Sequence, residues 1–133
     1  MPVKAFIDTN IVIYALGPAS TKAHLAAPLF TGLPLISTQV LSETANVCSR
    51  RFGLAMPEIR KLLDKLETLC RVEIITPATL HAALDIMGRY RFSWYDSLIV
   101  ATALNCGCDV LYSEDMQSGQ LINNQLRILN PFV

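Results

Sequence analysis

Four acidic residues stand where a carboxylate has no inexpensive structural role: Asp8, Glu43, Asp96 and Asp115. Asp8 ends an apolar run over residues 3–7, Asp96 lies near the start of the most apolar segment of the chain, and Asp115 follows a strand-like stretch over 109–112. Glu43 has Val40 three residues before it and Val47 four after, so the three share one helical face, and that face is apolar. A carboxylate on a core-facing stripe is costly without a partner. Brought together, the four charges repel unless a cation joins them. An all-oxygen cluster beside water is how a protein holds Mg²⁺ or Mn²⁺ against a phosphate. The chemistry this pattern predicts is metal-assisted phosphodiester hydrolysis, with one ion or two activating water and steadying the charge on the phosphate.

The elements that must position these residues alternate between two periods. Strand-like apolar runs fall at residues 3–7, 33–36, 73–76, 110–112 and 127–129. Helical stretches fall between them. One starts at Thr9 or Asn10 and stops before Gly17-Pro18. A second covers 22–30 and is short or kinked because of Pro28. A long one runs from Ser37 or Thr38 to about Phe52, with Gly53 beyond it. Others run from Pro57 to about Arg71, from Pro77 or Ala78 to Tyr90, and from a Ser93 cap to Asn105. Near-continuous apolar strands alternating with helices imply a parallel sheet of about five strands covered on both faces. In such sheets the ligand crevice lies outside the carboxyl ends of the strands, where Asp8 and Asp115 fall.

The other acids have plainer roles. Glu58, Asp64 and Glu67 share a helix with Arg60, Lys61 and Lys65 and read as a solvated face, and Asp85 is spaced to pair with Arg89. Structural alternatives exist for each of the four as well. Asp8 suits a helix cap, Ser93 and Asp96 have capping-box spacing, Glu43 suits an ion pair, and Glu114 competes with Asp115 for a ligand role. Four independent accidents at one sheet edge are much less plausible than one site.

Composition narrows the field. The 133 residues suit one domain over 1–133, and 52% apolar against 17% charged content supports a sizeable core rather than disorder. Eleven basic and eleven acidic residues leave a formal net charge of zero, so any RNA attraction needs bound metal and a local basic patch. Candidates for phosphate contact are Arg50, Arg51 and Lys22, with Lys22 near His24, and the pair Arg89 and Arg91. Trp94 and Tyr95 suit core packing better than base stacking, and His24 and His81 read as helix-face residues. Cys48, Cys70, Cys106 and Cys108 have no zinc-site spacing and read as reduced, mostly buried thiols of a cytoplasmic protein. No apolar run approaches a membrane span, and the N-terminal run is too short for a signal peptide.

Four motifs carry a family resemblance. Residues 6–15 (Phe-Ile-Asp-Thr-Asn-Ile-Val-Ile-Tyr-Ala), 36–47 (Ile-Ser-Thr-Gln-Val-Leu-Ser-Glu-Thr-Ala-Asn-Val), 93–101 (Ser-Trp-Tyr-Asp-Ser-Leu-Ile-Val-Ala) and 111–117 (Leu-Tyr-Ser-Glu-Asp-Met-Gln) resemble, in order and spacing, the motifs of PIN-domain proteins. The chain is most similar to the VapC-like toxins of bacterial toxin–antitoxin pairs. The resemblance implies a three-layer α/β/α sandwich and a Mg²⁺- or Mn²⁺-dependent endoribonuclease. It implies acidic residues at Asp8, Glu43, Asp96 and Asp115, with Asp8, Asp96 and Asp115 as metal ligands and Asn10 and Ser113 as supporting polar groups. It also implies a homodimer and a small antitoxin partner.

Other hydrolase readings fit poorly. A haloacid-dehalogenase-like phosphatase needs a second aspartate at position 10, which is Asn10, and a late lysine, whereas no lysine follows Lys65. A response-receiver domain fails on the same missing lysine. The non-enzymatic alternative is a catalytically silent module of the same fold that binds RNA or protein.

Overall fold

The computed structural model describes residues 3–133. Its strands are β1 (Ala5–Ile7), β2 (Leu35–Ser37), β3 (Arg71–Glu73), β4 (Val110–Tyr112), β5 (Leu121–Ile122) and β6 (Leu126–Leu129). Its helices are α1 (Thr9–Leu16), α2 (Thr21–Ala26), α3 (Thr38–Arg50), α4 (Met56–Leu69), α5 (Pro77–Tyr90) and α6 (Trp94–Asn105). The sheet runs β3-β2-β1-β4-β6-β5, parallel throughout except for the antiparallel β5–β6 edge. The result is the expected three-layer α/β/α sandwich, with a sixth short strand.

Strand order reverses beside β1. From β1 the chain moves outward to β2 and β3, then returns to place β4 on the other side of β1. At such a switch point the two following connections diverge and leave a crevice above the strand ends. Asp8 directly follows β1 and Ser113 directly follows β4, whose Tyr112 lies opposite Ile7. The crevice thus opens between the residues that the sequence marked as chemical.

Two features differ from expectation, the place of the third strand and the presence of β5. The third strand is 71–73 rather than 73–76, because α4 already ends at Leu69 and Cys70 adopts extended backbone. The Arg71 amide then donates to the Pro34 carbonyl at 2.9 Å and sets the register with β2. Ile74 and Ile75 belong instead to the connection into α5, where the Ile75 amide donates to the Thr38 hydroxyl at 3.2 Å. The second difference is β5, which Asn123 and Asn124 join to β6. Both have positive φ, 49° and 57°, as a type I′ hairpin turn requires. The segment over 22–30 is short, as expected from Pro28: the helix ends at Ala26, and Ala27–Phe30 forms a 3₁₀ turn with Pro28 near its start. The Asp85–Arg89 pair does not form, and Arg89 donates to Asn123 Oδ1 at 3.2 Å.

The core lies along the central strands. Phe6, Ile7, Ile36, Leu111, Leu126 and Ile128 have no solvent exposure. From α6, Leu98 through Ala103 are buried on every face, which explains its lack of amphipathic pattern. Cys48, Cys70 and Cys108 are buried and Cys106 partly so, all as free thiols. Among the described residues no helix is long and apolar enough to cross a membrane. Leu111 sits on the central β4 with no exposure. Leu111→Ala is expected to cost about 3 kcal/mol in urea unfolding; a loss below about 1 kcal/mol would contradict its place in a rigid core.

Candidate active site

Asp8 is the centre of the site. It is the N-cap of α1, and its Oδ1 accepts from the Thr9 amide at 2.7 Å. Its Oδ2 accepts from the Ser113 hydroxyl at 2.8 Å across the β1–β4 boundary. The side chain is 6% exposed. Burial is the main force on its ionisation and lifts the pKa to about 6. The Ser113 and Thr9 hydrogen bonds oppose that rise, while the nearby charges of Asp96 and Glu43 add to it.

Glu43 reaches the same region from α3. Ser37 caps α3 by accepting from the Val40 amide at 3.3 Å, which fixes the helix at the end of β2. The Thr9 hydroxyl donates to Glu43 Oε1 at 2.6 Å, so adjacent residues of the first motif hold two of the four carboxylates. Asp96 sits in the first turn of α6, where its amide donates to Ser93 Oγ at 3.2 Å. Ser93 thus caps α6, as its spacing predicts. Asp96 has its pKa raised by burial first, with a further push from the Asp115 charge.

Asp8, Glu43, Asp96 and Asp115 all line one cleft of about 710 Å³, together with Asn10 and Gln39. Its walls come from α1, α3, the start of α6 and the loop after β4. The two acids after β4 separate in role. The Glu114 carboxylate takes a salt bridge from Lys22 and a 3.0 Å hydrogen bond from the Tyr14 hydroxyl. Asp115 is exposed and has no such partner among the described residues.

The basic candidates divide similarly. Arg51 lines the cleft. Arg50 is exposed but is not part of its wall. Lys22 is not a free cation, because it is committed to Glu114 and lies over the Tyr14 and Phe132 rings at 4.8 and 5.3 Å. His24 and His81 are exposed and stand outside the cleft. Trp94 packs against the core as expected, but Tyr95 does not: it is 63% exposed on the cleft wall. Thr9 had been legible only as a helix cap. Its hydroxyl contact with Glu43 depends on packing between α1 and α3, which no local pattern encodes.

The donor set suits a hard divalent cation. Every candidate ligand is an oxygen, and one of them is a buried carboxylate whose ionisation is disfavoured without a nearby positive charge. Both polar atoms of the Asn10 amide are shielded from water with no hydrogen-bond partner, a cost that a cleft ligand or ordered water would relieve. Among the described residues, no three His, Cys, Asp or Glu side chains stand close enough together to hold a metal ion by themselves. Mg²⁺ keeps several waters and binds through one or two carboxylates plus substrate phosphate.

A profile of the PIN domain matches residues 5–118. The chain belongs to the PIN-domain family, whose members are generally divalent-metal-dependent nucleases. Among solved structures, the VapC20 toxin of Mycobacterium tuberculosis, described as cleaving the sarcin–ricin loop, is similar at 23% identity and TM-score 0.70. That match covers 84% of this chain and 90% of the toxin. A toxin–antitoxin complex from Klebsiella pneumoniae gives 18% identity, TM-score 0.73 and coverage of 96% and 98%. FitAcB from Neisseria gonorrhoeae gives 14%, 0.65, and the same 96% and 98%. A search of the curated proteins finds no match.

The buried Asp8 makes stability depend on pH. Its carboxyl titrates near 6 when folded against 3.8 when exposed, so the folded state holds the proton more tightly. The resulting destabilisation is absent below pH 4 and complete above about pH 6, reaching about 3 kcal/mol at most. In metal-free protein, Asp8→Asn is expected to raise stability at pH 7.5 by about 1–3 kcal/mol and to change it little at pH 4. Urea denaturation in chelator measures both; a less stable variant at pH 7.5 would show that the cap outweighs the charge.

Proposed function

We propose that this chain, acting as one nuclease domain over 1–133, is a metal-dependent endoribonuclease and the toxin of a toxin–antitoxin pair. The observation that carries the proposal is the buried Asp8 facing a cleft that Glu43, Asp96 and Asp115 also line. In this reading Asp8, Asp96 and Asp115 hold Mg²⁺ or Mn²⁺, which supplies an activated water and charge stabilisation at the phosphate. Ser113 and the Thr9 amide orient Asp8. Thr9 holds one oxygen of Glu43 and leaves the other to orient a water in the cleft. Asn10 completes the polar lining, and Arg51 meets an RNA phosphate. Arg50 stands beside the cleft as a secondary contact, and Lys22 serves by holding Glu114 away from the metal rather than by touching RNA.

Support for the biological role comes from the neighbouring structures, which include a sarcin–ricin-loop-cleaving toxin and a toxin–antitoxin complex. On that basis we propose a small antitoxin partner, a homodimer and a cytoplasmic location. The reading is tested by incubating single-stranded RNA with the protein in Mg²⁺, in Mn²⁺ and in chelator. Wild type is expected to cleave with either metal and to stop in chelator. Asp96→Asn should cut at about a hundredth of that rate or less, the scale that even small misplacement of a reacting group costs, with an unchanged circular dichroism spectrum. Failure of well-folded wild type to cut any RNA would favour the silent binding module.

A further inference from the structure

Two aromatic rings face water along the cleft. Tyr95 is 63% exposed and Phe52 is 47% exposed, and both line the wall. Gln39, itself 9% exposed, donates from Nε2 to the Tyr95 carbonyl at 3.1 Å, which fixes the backbone beneath that ring. Tyr95 immediately precedes Asp96, so whatever contacts the ring lies beside the carboxylates. Phe52 carries the Arg51 guanidinium at 5.8 Å from its ring centre.

The charge around these rings is unfavourable for a polyanion. Arg51 is the one Lys, Arg or His among the described residues lining the cleft, against the acids Asp8, Glu43, Asp96, Glu114 and Asp115. The formal net charge of the chain is zero. Nucleic-acid affinity normally comes from neutralising phosphates, and here few cations are placed to do so. Base–aromatic stacking is a source of affinity that needs no positive charge and tolerates any base. It needs an open base face, which a duplex hides.

Resting on the nuclease reading for the nature of the occupant, we infer that Tyr95 and the Arg51–Phe52 pair are stacking platforms for unpaired nucleotides. They supply affinity that the charge of the protein does not. The Arg51–Phe52 pair suits one nucleotide, with its phosphate on the guanidinium and its base on the ring. Tyr95 takes another beside the acidic cluster.

The test measures fluorescence anisotropy of labelled RNA with Asp96→Asn protein in Mg²⁺, for a single strand and for a duplex of the same sequence. In that background, Tyr95→Ala and Phe52→Ala are each expected to weaken single-strand binding about tenfold, while Tyr95→Trp retains it. The duplex should bind more weakly than the single strand. The slope of log K against log salt should be shallow, about −1 to −2, as for one to three phosphate contacts. Alanine variants that bind like their parent, a duplex that binds as tightly, or absence of RNA binding would each overturn the inference. Parallel cleavage assays on the Asp96-intact protein separate the two proposals. RNA cutting that is indifferent to Tyr95 and Phe52 removes the platforms and keeps the nuclease. Ring-dependent binding with no cutting in either metal removes the nuclease and keeps the platforms.

Discussion

The site depends on one arrangement, a carboxylate buried where the sheet changes direction. Asp8 is held by a hydroxyl from the end of β4 and by the first amide of α1. Those two contacts keep the group ordered but do not compensate its burial, and the proton affinity stays high. A parallel sheet with its switch point beside β1 makes this possible, because it places the ends of β1 and β4 side by side and sends the following segments apart. The surrounding acids then become meaningful together. Glu43 is tied to the Asp8 neighbour Thr9, Asp96 stands in the first turn of a helix that begins at the same crevice, and Asp115 adds its field to Asp96. A protein selected for stability alone would have no reason to retain so much like charge in one cleft.

The distribution of the remaining charge sharpens that point. Lys22 neutralises Glu114, the acid next to Asp115, and Tyr14 adds a second donor to the same carboxylate. The contact joins α2 and α1 to the loop after β4, and the Phe132 ring packs edge-on to Tyr14 at 5.2 Å. One acid of the neighbouring pair is thereby satisfied within the protein and the other left toward the cleft. With Lys22 engaged, Arg51 is the basic group remaining on the cleft wall among the described residues. The exposed aromatic surface beside it suits the stacking role proposed for Tyr95 and Phe52, which needs no positive charge.

Much of this was legible before any coordinates. The alternation of buried strands and capped helices fixes a parallel three-layer architecture, because few other packings bury strands on both faces. Asp8 and Asp115 were readable as edge residues since each follows a short apolar strand, and Glu43 because its helical face was otherwise apolar. What escaped were features set by tertiary contact. The Ile74-Ile75 pair has strand composition, yet the pairing of Arg71 with Leu35 draws the strand two residues earlier. A two-residue β5 lacks any periodicity to reveal the hairpin into β6. Tyr95 looked like core because its helix is apolar, and only the direction of the first turn shows the ring in water. The carboxylates that Lys22 and Thr9 meet and the carbonyl that Gln39 meets lie 34 to 92 residues away, beyond any local pattern.

The most direct test follows the Asp8 carboxyl itself by carbon-detected NMR across pH, first in chelator and then with Mg²⁺ added. The structure calls for titration near pH 6 without metal. A fall of that midpoint toward or below the ordinary aspartate range is expected when the cation arrives. An Asp8 that titrates like an exposed aspartate in chelator, or whose midpoint ignores Mg²⁺, would contradict the claim that this buried group waits for a cation.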